Sequence, residues 1–183
     1  PDNHIEDKFN LEEYSDGQNI VLIFYPLNFT FVCPSELIAF NNRVDEFTKM
    51  GAKIVAVSVD SQFSHLAYKN TPITEGGVGS LKFPLVADLS KEISRSYGVL
   101  TNNDTVALRA TFIINSKGIV VHESVNALSL GRSVNENLRL LEALAHTEKF
   151  GEVCPANWQP GKDGMKATQE GVSSYLSKHA QNL

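Results

Sequence analysis

Apolar residues along the chain gather in short runs separated by polar stretches containing Gly and Pro, and their period changes from run to run. Val21–Tyr25 (VLIFY) is continuously apolar over the length of a strand, as expected of a strand buried on both faces, and Pro26 ends it. After LNFTFV a helical spacing begins at Pro34: Leu37, Phe40, Val44 and Phe47 share one face, and Gly51 stands where a helix stops. Lys53–Asp60 (KIVAVSVD) is a second β-branched run, so the three segments read as a βαβ unit with parallel strands. Ser64–Asn70 predicts a further helix. TEGGVGS predicts a flexible loop rather than a dinucleotide fingerprint, because no strand feeds it.

Phe83–Ala87 predicts a short strand, followed by a helix capped near Ser90 and ended at Gly98. Val106–Asn115 and Ile119–Glu123 predict a hairpin around Ser116, Lys117 and Gly118. The next helix opens with Ser133 and Glu136 in capping-box spacing, and Leu138, Leu141 and Leu144 or Ala145 supply its buried stripe. Elements in this order indicate an α/β fold over residues 1–150. Residues 151–183 form an arm rich in Gly, Pro and polar residues that ends in a short helix around GVSSYLSKHA. Cys154 and Trp158 argue against plain disorder there.

Composition narrows the class. With 183 residues, 42% of them hydrophobic, the chain can bury a core of its own. The net charge of -5 and the lack of any Lys/Arg run point away from nucleic acid. No apolar run approaches the roughly 18 residues of a spanning helix. PDNHIEDKFN is polar and carries no apolar signal region, but the chain begins at Pro1 rather than Met, which leaves a removed targeting segment open. Two cysteines do not make a disulfide scaffold, and neither has a Cys or His at zinc-ligand spacing. They are either inert buried thiols or reactive ones.

The stretch FTFVCPSE bears on that choice. Cys33 sits beside Pro34 at a loop-to-helix junction, where unpaired N–H groups and the helix dipole favour a thiolate. Full ionisation raises the nucleophile's concentration by roughly 30-fold at most near neutrality, so fast chemistry also needs positioning and charge stabilisation. Thr30 can turn its hydroxyl toward the thiolate, and Pro26 can shield it from water. Arg109, which interrupts the apolar pattern of VALRATFII, can hold it charged, and Glu36 can orient an arginine. Each has an ordinary reading as a buried thiol, turn threonine, surface arginine or first-turn acid. The combined spacing Pro-x-x-x-Thr-x-x-Cys favours the chemical one. Position 36 is Glu rather than the second Cys of a Cys-x-x-Cys motif, so a redox cycle must close elsewhere.

FYPLNFTFVCPSE resembles the active-site segment of the typical 2-Cys peroxiredoxins, the bacterial alkyl hydroperoxide reductase peroxidase subunits in particular. The likeness continues through SVDSQFSH, GGVGSLKFPLVAD, ALRATFII, LGRSVNENLRLLEAL and GEVCPANWQPG. It implies a thioredoxin-like fold, with a central mixed β-sheet flanked by helices and a C-terminal extension carrying a resolving cysteine. It further implies Cys33 as the peroxidatic cysteine, with Thr30, Pro26 and Arg109 as its active-site companions, and Glu36 with Arg132 as the pair that orients the site. Cys154 would resolve the sulfenic acid of a partner subunit after local unwinding around Cys33.

The implied substrates are hydrogen peroxide, organic hydroperoxides and peroxynitrite. Thioredoxin or a dedicated flavoprotein disulfide reductase would be the reductant, with no metal, haem or flavin cofactor in the chain itself. The resemblance also implies a homodimer, assembling as a decamer of five dimers, in the cytoplasm, with an organellar site left open. Three departures stand out: an N-terminal strand is missing, the glycine loop reads Gly-Gly-Val-Gly at 76–79, and Leu176 follows Tyr175 where sensitive members have Phe. The last two imply intermediate resistance to overoxidation. A general disulfide oxidoreductase and a holdase or structural ring are the competing readings.

Overall fold

The computed structural model describes residues 4–183, so the reading of the polar opening falls outside the described residues at positions 1–3. The chain forms two compact units, Pro1–Val134 and Asn135–Leu183.

The first unit carries a five-stranded mixed sheet in the order β3-β2-β1-β4-β5. Its strands are β1 (Asn19–Phe24), β2 (Ala52–Ser58), β3 (Leu85–Ala87), β4 (Arg109–Ile114) and β5 (Val120–Asn126). Helices α1 (Leu11–Ser15), α2 (Cys33–Asn42), α3 (Val44–Lys49), α4 (Gln62–Asn70) and α5 (Glu92–Ser96) connect or precede them. β1 and β2 are parallel, as are β2 and β3, while β4 runs antiparallel to β1 and β5 antiparallel to β4. The βαβ reading therefore holds, with the crossover made of two helices. Ile20, Leu22 and Phe24 pack with Val55, Val57, Phe112 and Ile114 on one face of the sheet, while Val21 and Ile23, which point the other way, are equally buried. Burial on both faces is why VLIFY shows no polar alternation.

Three local features differ from expectation. The helix predicted to run unbroken from Pro34 toward Gly51 begins at Cys33 and breaks at Arg43, whose ψ of 8° leaves the helical range; Gly51, at φ 66°, does close α3. Besides the expected Ser90, whose Oγ accepts from Glu92 N at 3.4 Å, α5 has a second cap in Asp88: its buried carboxylate accepts from Ile93 N at 3.1 Å and Ser94 N at 2.7 Å. Helix α1 has no counterpart in the sequence reading; Asn10 caps it by accepting from Glu12 N and Glu13 N. The β4–β5 hairpin turns through Asn115 and Gly118 as predicted, with Gly118 at φ 77°.

The second unit consists of α6 (Val134–Phe150, all but its first residue), a long loop and α7 (Gln169–His179). Trp158 orders the loop. Its ring is buried, its Nε1 donates to Lys162 O at 3.1 Å, and its carbonyl accepts from Arg139 Nη1 at 2.9 Å. A two-residue bridge pairs Val153 with Met165, so the arm is structured rather than disordered.

Candidate active site around Cys33

Cys33 is the first residue of α2, with Pro34 behind it, and it is fully buried. One helical turn on, Glu36 shares its face of the helix, which is the neighbour relation that a spacing of three enforces. Arg109, the first residue of β4, reaches both. Its Nη1 donates to Cys33 Sγ at 3.3 Å and to Glu36 Oε2 at 2.8 Å, while its Nε donates to Leu128 O. Arg132 grips the other side of the carboxylate through its backbone N and Nε, both 2.9 Å from Oε1, and through Nη2, 2.8 Å from Oε2.

These charges lie out of water: the Arg109, Arg132 and Glu36 side chains are 5%, 2% and 3% exposed. Burial alone would raise the Glu36 carboxyl, but hydrogen bonds and charge from Arg132, with the charge of Arg109, outweigh it and hold the group below its ordinary value. Two guanidiniums then face one carboxylate. The cluster is short of one negative charge, and Cys33 Sγ lies beside it, accepting from Arg109.

The loop ahead of Cys33 is held by a second buried network that sequence reasoning missed. Asn28 donates from Nδ2 to Ser64 Oγ at 2.9 Å and to His65 Nδ1 at 3.0 Å, accepts from Tyr25 OH at 2.8 Å, and donates from its backbone N to Asp60 Oδ2 at 2.9 Å. His65 Nε2 donates to Val86 O, so the neutral imidazole with its proton on Nε2 fits both contacts. Burial is the main force holding His65 below its ordinary pKa, which agrees with that neutral form. Pro26 is buried in this loop. Thr30 departs from expectation, since its hydroxyl proton goes to Leu27 O at 2.8 Å instead of toward Cys33.

Cys154 lies in the second unit as a half-buried free thiol, with its Sγ 3.6 Å from Ala143 O. Burial pushes its pKa up, Glu152 adds to the rise, and Arg139 opposes it. Among the described residues no group of three or more His, Cys, Asp or Glu could hold a metal, and no helix is long and apolar enough to cross a membrane.

Residues 1–123 match the AhpC/TSA family and residues 143–178 the C-terminal domain of 1-Cys peroxiredoxin. The chain is 49% identical to alkyl hydroperoxide reductase C of Buchnera aphidicola subsp. Acyrthosiphon pisum, over 97% of this chain and 90% of that protein. It is 50% identical to peroxiredoxin-2 of Rattus norvegicus, over 94% and 86%. Among solved structures, a reduced 2-Cys peroxiredoxin of Plasmodium vivax superposes with a TM-score of 0.89 at 48% identity, covering 92% of this chain and 87% of that one.

Proposed function

The chain belongs to the AhpC/TSA family of peroxiredoxins, with the thioredoxin-like fold of that family, and is a thiol-dependent peroxidase; on that premise we propose that Cys33 is its peroxidatic cysteine and Cys154 its resolving one. The observation that carries this reading is the buried Arg109 guanidinium 3.3 Å from Cys33 Sγ, within a cluster one anion short. Cys33 thiolate attacks one peroxide oxygen, the O–O bond breaks, and the departing oxygen leaves as water or alcohol. Arg109 stabilises the charge, Glu36 and Arg132 keep Arg109 in place, Pro26 excludes water, and the Thr30 oxygen accepts from the incoming peroxide.

Cys154 of the partner subunit then attacks the sulfenic acid, releasing water and leaving an intersubunit disulfide, which thioredoxin or a flavoprotein disulfide reductase reduces. A sulfur this enclosed becomes accessible to another thiol when the first turn of α2 opens. The raised Cys154 pKa fits a thiol that reacts second. Residues 1–150 form the peroxidase domain in this reading and 151–183 the resolving arm. The protomers pair as a homodimer and assemble as a decamer, and the acidic composition with two free cysteines supports a cytoplasmic site. No residue of α7 is buried, which favours easy opening of the arm and the intermediate resistance to overoxidation.

The test is one equivalent of hydrogen peroxide on the reduced protein, read by non-reducing gel and intact mass. Wild type should become a disulfide-linked dimer, Cys154→Ser should stop at an oxidised monomer, and Cys33→Ser should not react. Wild type that stays a thiol, or forms a bond within one chain, sinks the two-cysteine cycle.

A further inference from the structure

Between β5 and α6 the chain passes through residues 127–132, and this stretch brings two of its backbone groups to the site. Leu128 O accepts from Arg109 Nε at 2.8 Å, and Arg132 N donates to Glu36 Oε1 at 2.9 Å. The stretch also lies against Val32, the residue before Cys33, so closely that a Cβ at Gly131 would stand 3.4 Å from Val32 Cγ1. It thus borders the start of the nucleophile's helix, its carboxylate and its arginine at once.

Packing contributes little to the shape of this stretch, because residues 127–131 are exposed, Leu130 by 60%. Hydrogen bonds define it instead. Leu130 N donates to Ala127 O at 3.0 Å and closes a turn, and Asn126 clasps the far end, donating from Nδ2 to Leu130 O and Gly131 O, both at 3.2 Å. Carbonyl oxygens only accept, which fixes the orientation of the amide. Asn126, the last residue of β5, pairs with Arg109 across the antiparallel ladder, so the two side chains leave the same face of the sheet with Cβ atoms about 4.5–5.5 Å apart. The clasp therefore starts beside the arginine that the turn holds.

We propose that Asn126 is a positioning residue for the peroxidase step, holding residues 127–132 in the shape that keeps Leu128 O on Arg109 and Arg132 N on Glu36. The inference rests on Cys33 being the nucleophile and Arg109 its partner. A guanidinium is a rigid plane: fixed at Nε by Leu128 O and at Nη1 by Glu36 Oε2, it presents Nη1 to Cys33 Sγ at 3.3 Å. Without the Nε contact the plane pivots about its bond to Glu36 and turns away from the sulfur. The charged form of the thiol is then less favoured, and so is the charge that develops as peroxide is attacked. Asn126 acts through the arginine rather than on the sulfur.

The experiment compares Asn126→Ala with Asn126 in a Cys154→Ser background of the full chain, where Cys33 is the one thiol left to read. It measures the second-order rate with hydrogen peroxide, the pH midpoint of alkylation by iodoacetamide, and the melting temperature. The expected result is a peroxide rate lower by about tenfold and an alkylation midpoint higher by roughly one pH unit. Tm should fall by no more than about 2–4 °C, because the carbonyls released lie at the surface and gain water. An unchanged peroxide rate, a slower rate with the alkylation midpoint unmoved, or a loss of Tm well beyond that range would overturn the proposal, the last two being what a merely loosened fold gives. Peroxide consumption by Cys33→Ser would instead overturn the reading of Cys33 beneath it, so the two failures are distinguishable.

Discussion

Glu36 shows how one side chain can serve stability and chemistry together. Its carboxylate accepts from two buried arginines, and removing one partner of such a cluster strands charge out of water at a cost of about 3–5 kcal/mol. Because its pKa is held down in the folded state, its stabilisation is present above the unfolded carboxylate value of about 4.3 and is lost as pH falls through the lower folded value. Glu36→Gln should therefore melt well below wild type at pH 7 and lose the part of the acid limb that Glu36 supplies, so the two Tm curves converge at low pH. Calorimetry from pH 3 to 8 checks this, and parallel curves would refute it.

At the scale of elements, α5 depends on a residue outside it. Asp88 accepts from two N–H groups of its first turn, and its burial means that no solvent replaces it. Asp88→Ala should cost about 2 kcal/mol, lowering Tm by roughly 4–8 °C by denaturation scan, while leaving the peroxide rate near wild type. Ser90, which accepts from Glu92 N, was legible as a cap, but Asp88 was not, because only the folded path of the loop turns it inward.

The same distinction runs through the molecule. β1, β2 and the hairpin were readable because burial on the faces of a sheet writes itself into apolar runs. The break at Arg43 was not, since no Pro or Gly marks it. At the site, Cys33 was readable from its place beside Pro34 at a helix start, and Glu36 from the helical spacing that follows it. Arg109 showed as a charge inside an apolar run, and Arg132 came from family resemblance. The Asn28–His65 network had no sequence signal, because its state is set by residues brought together from distant segments.

At the scale of the whole molecule, β5 is one of the two edge strands of the sheet, and its Val121 and Val125, four residues apart and so on one face, are 44% and 51% exposed. An apolar edge of this kind suits pairing with a second copy. Wild type should sediment as a dimer or larger. Val121→Asp with Val125→Asp should give monomers that react with peroxide yet stop at the sulfenic acid, because in the proposed cycle the resolving thiol belongs to the partner. A double variant that still sediments as a dimer would remove β5 from the interface.

Arg132 sets a mechanical limit on that exchange. Besides holding Glu36, its Nη1 donates to Phe24 O at 2.7 Å and to Ala110 O at 2.8 Å, fastening the first turn of α2 to two adjacent central strands. If α2 opens while this anchor holds, Cys33 swings on a tether of three residues, which even fully extended spans about 10 Å. The sulfur can thus search a small hemisphere around Glu36 and no further, and the incoming thiol must be delivered into it.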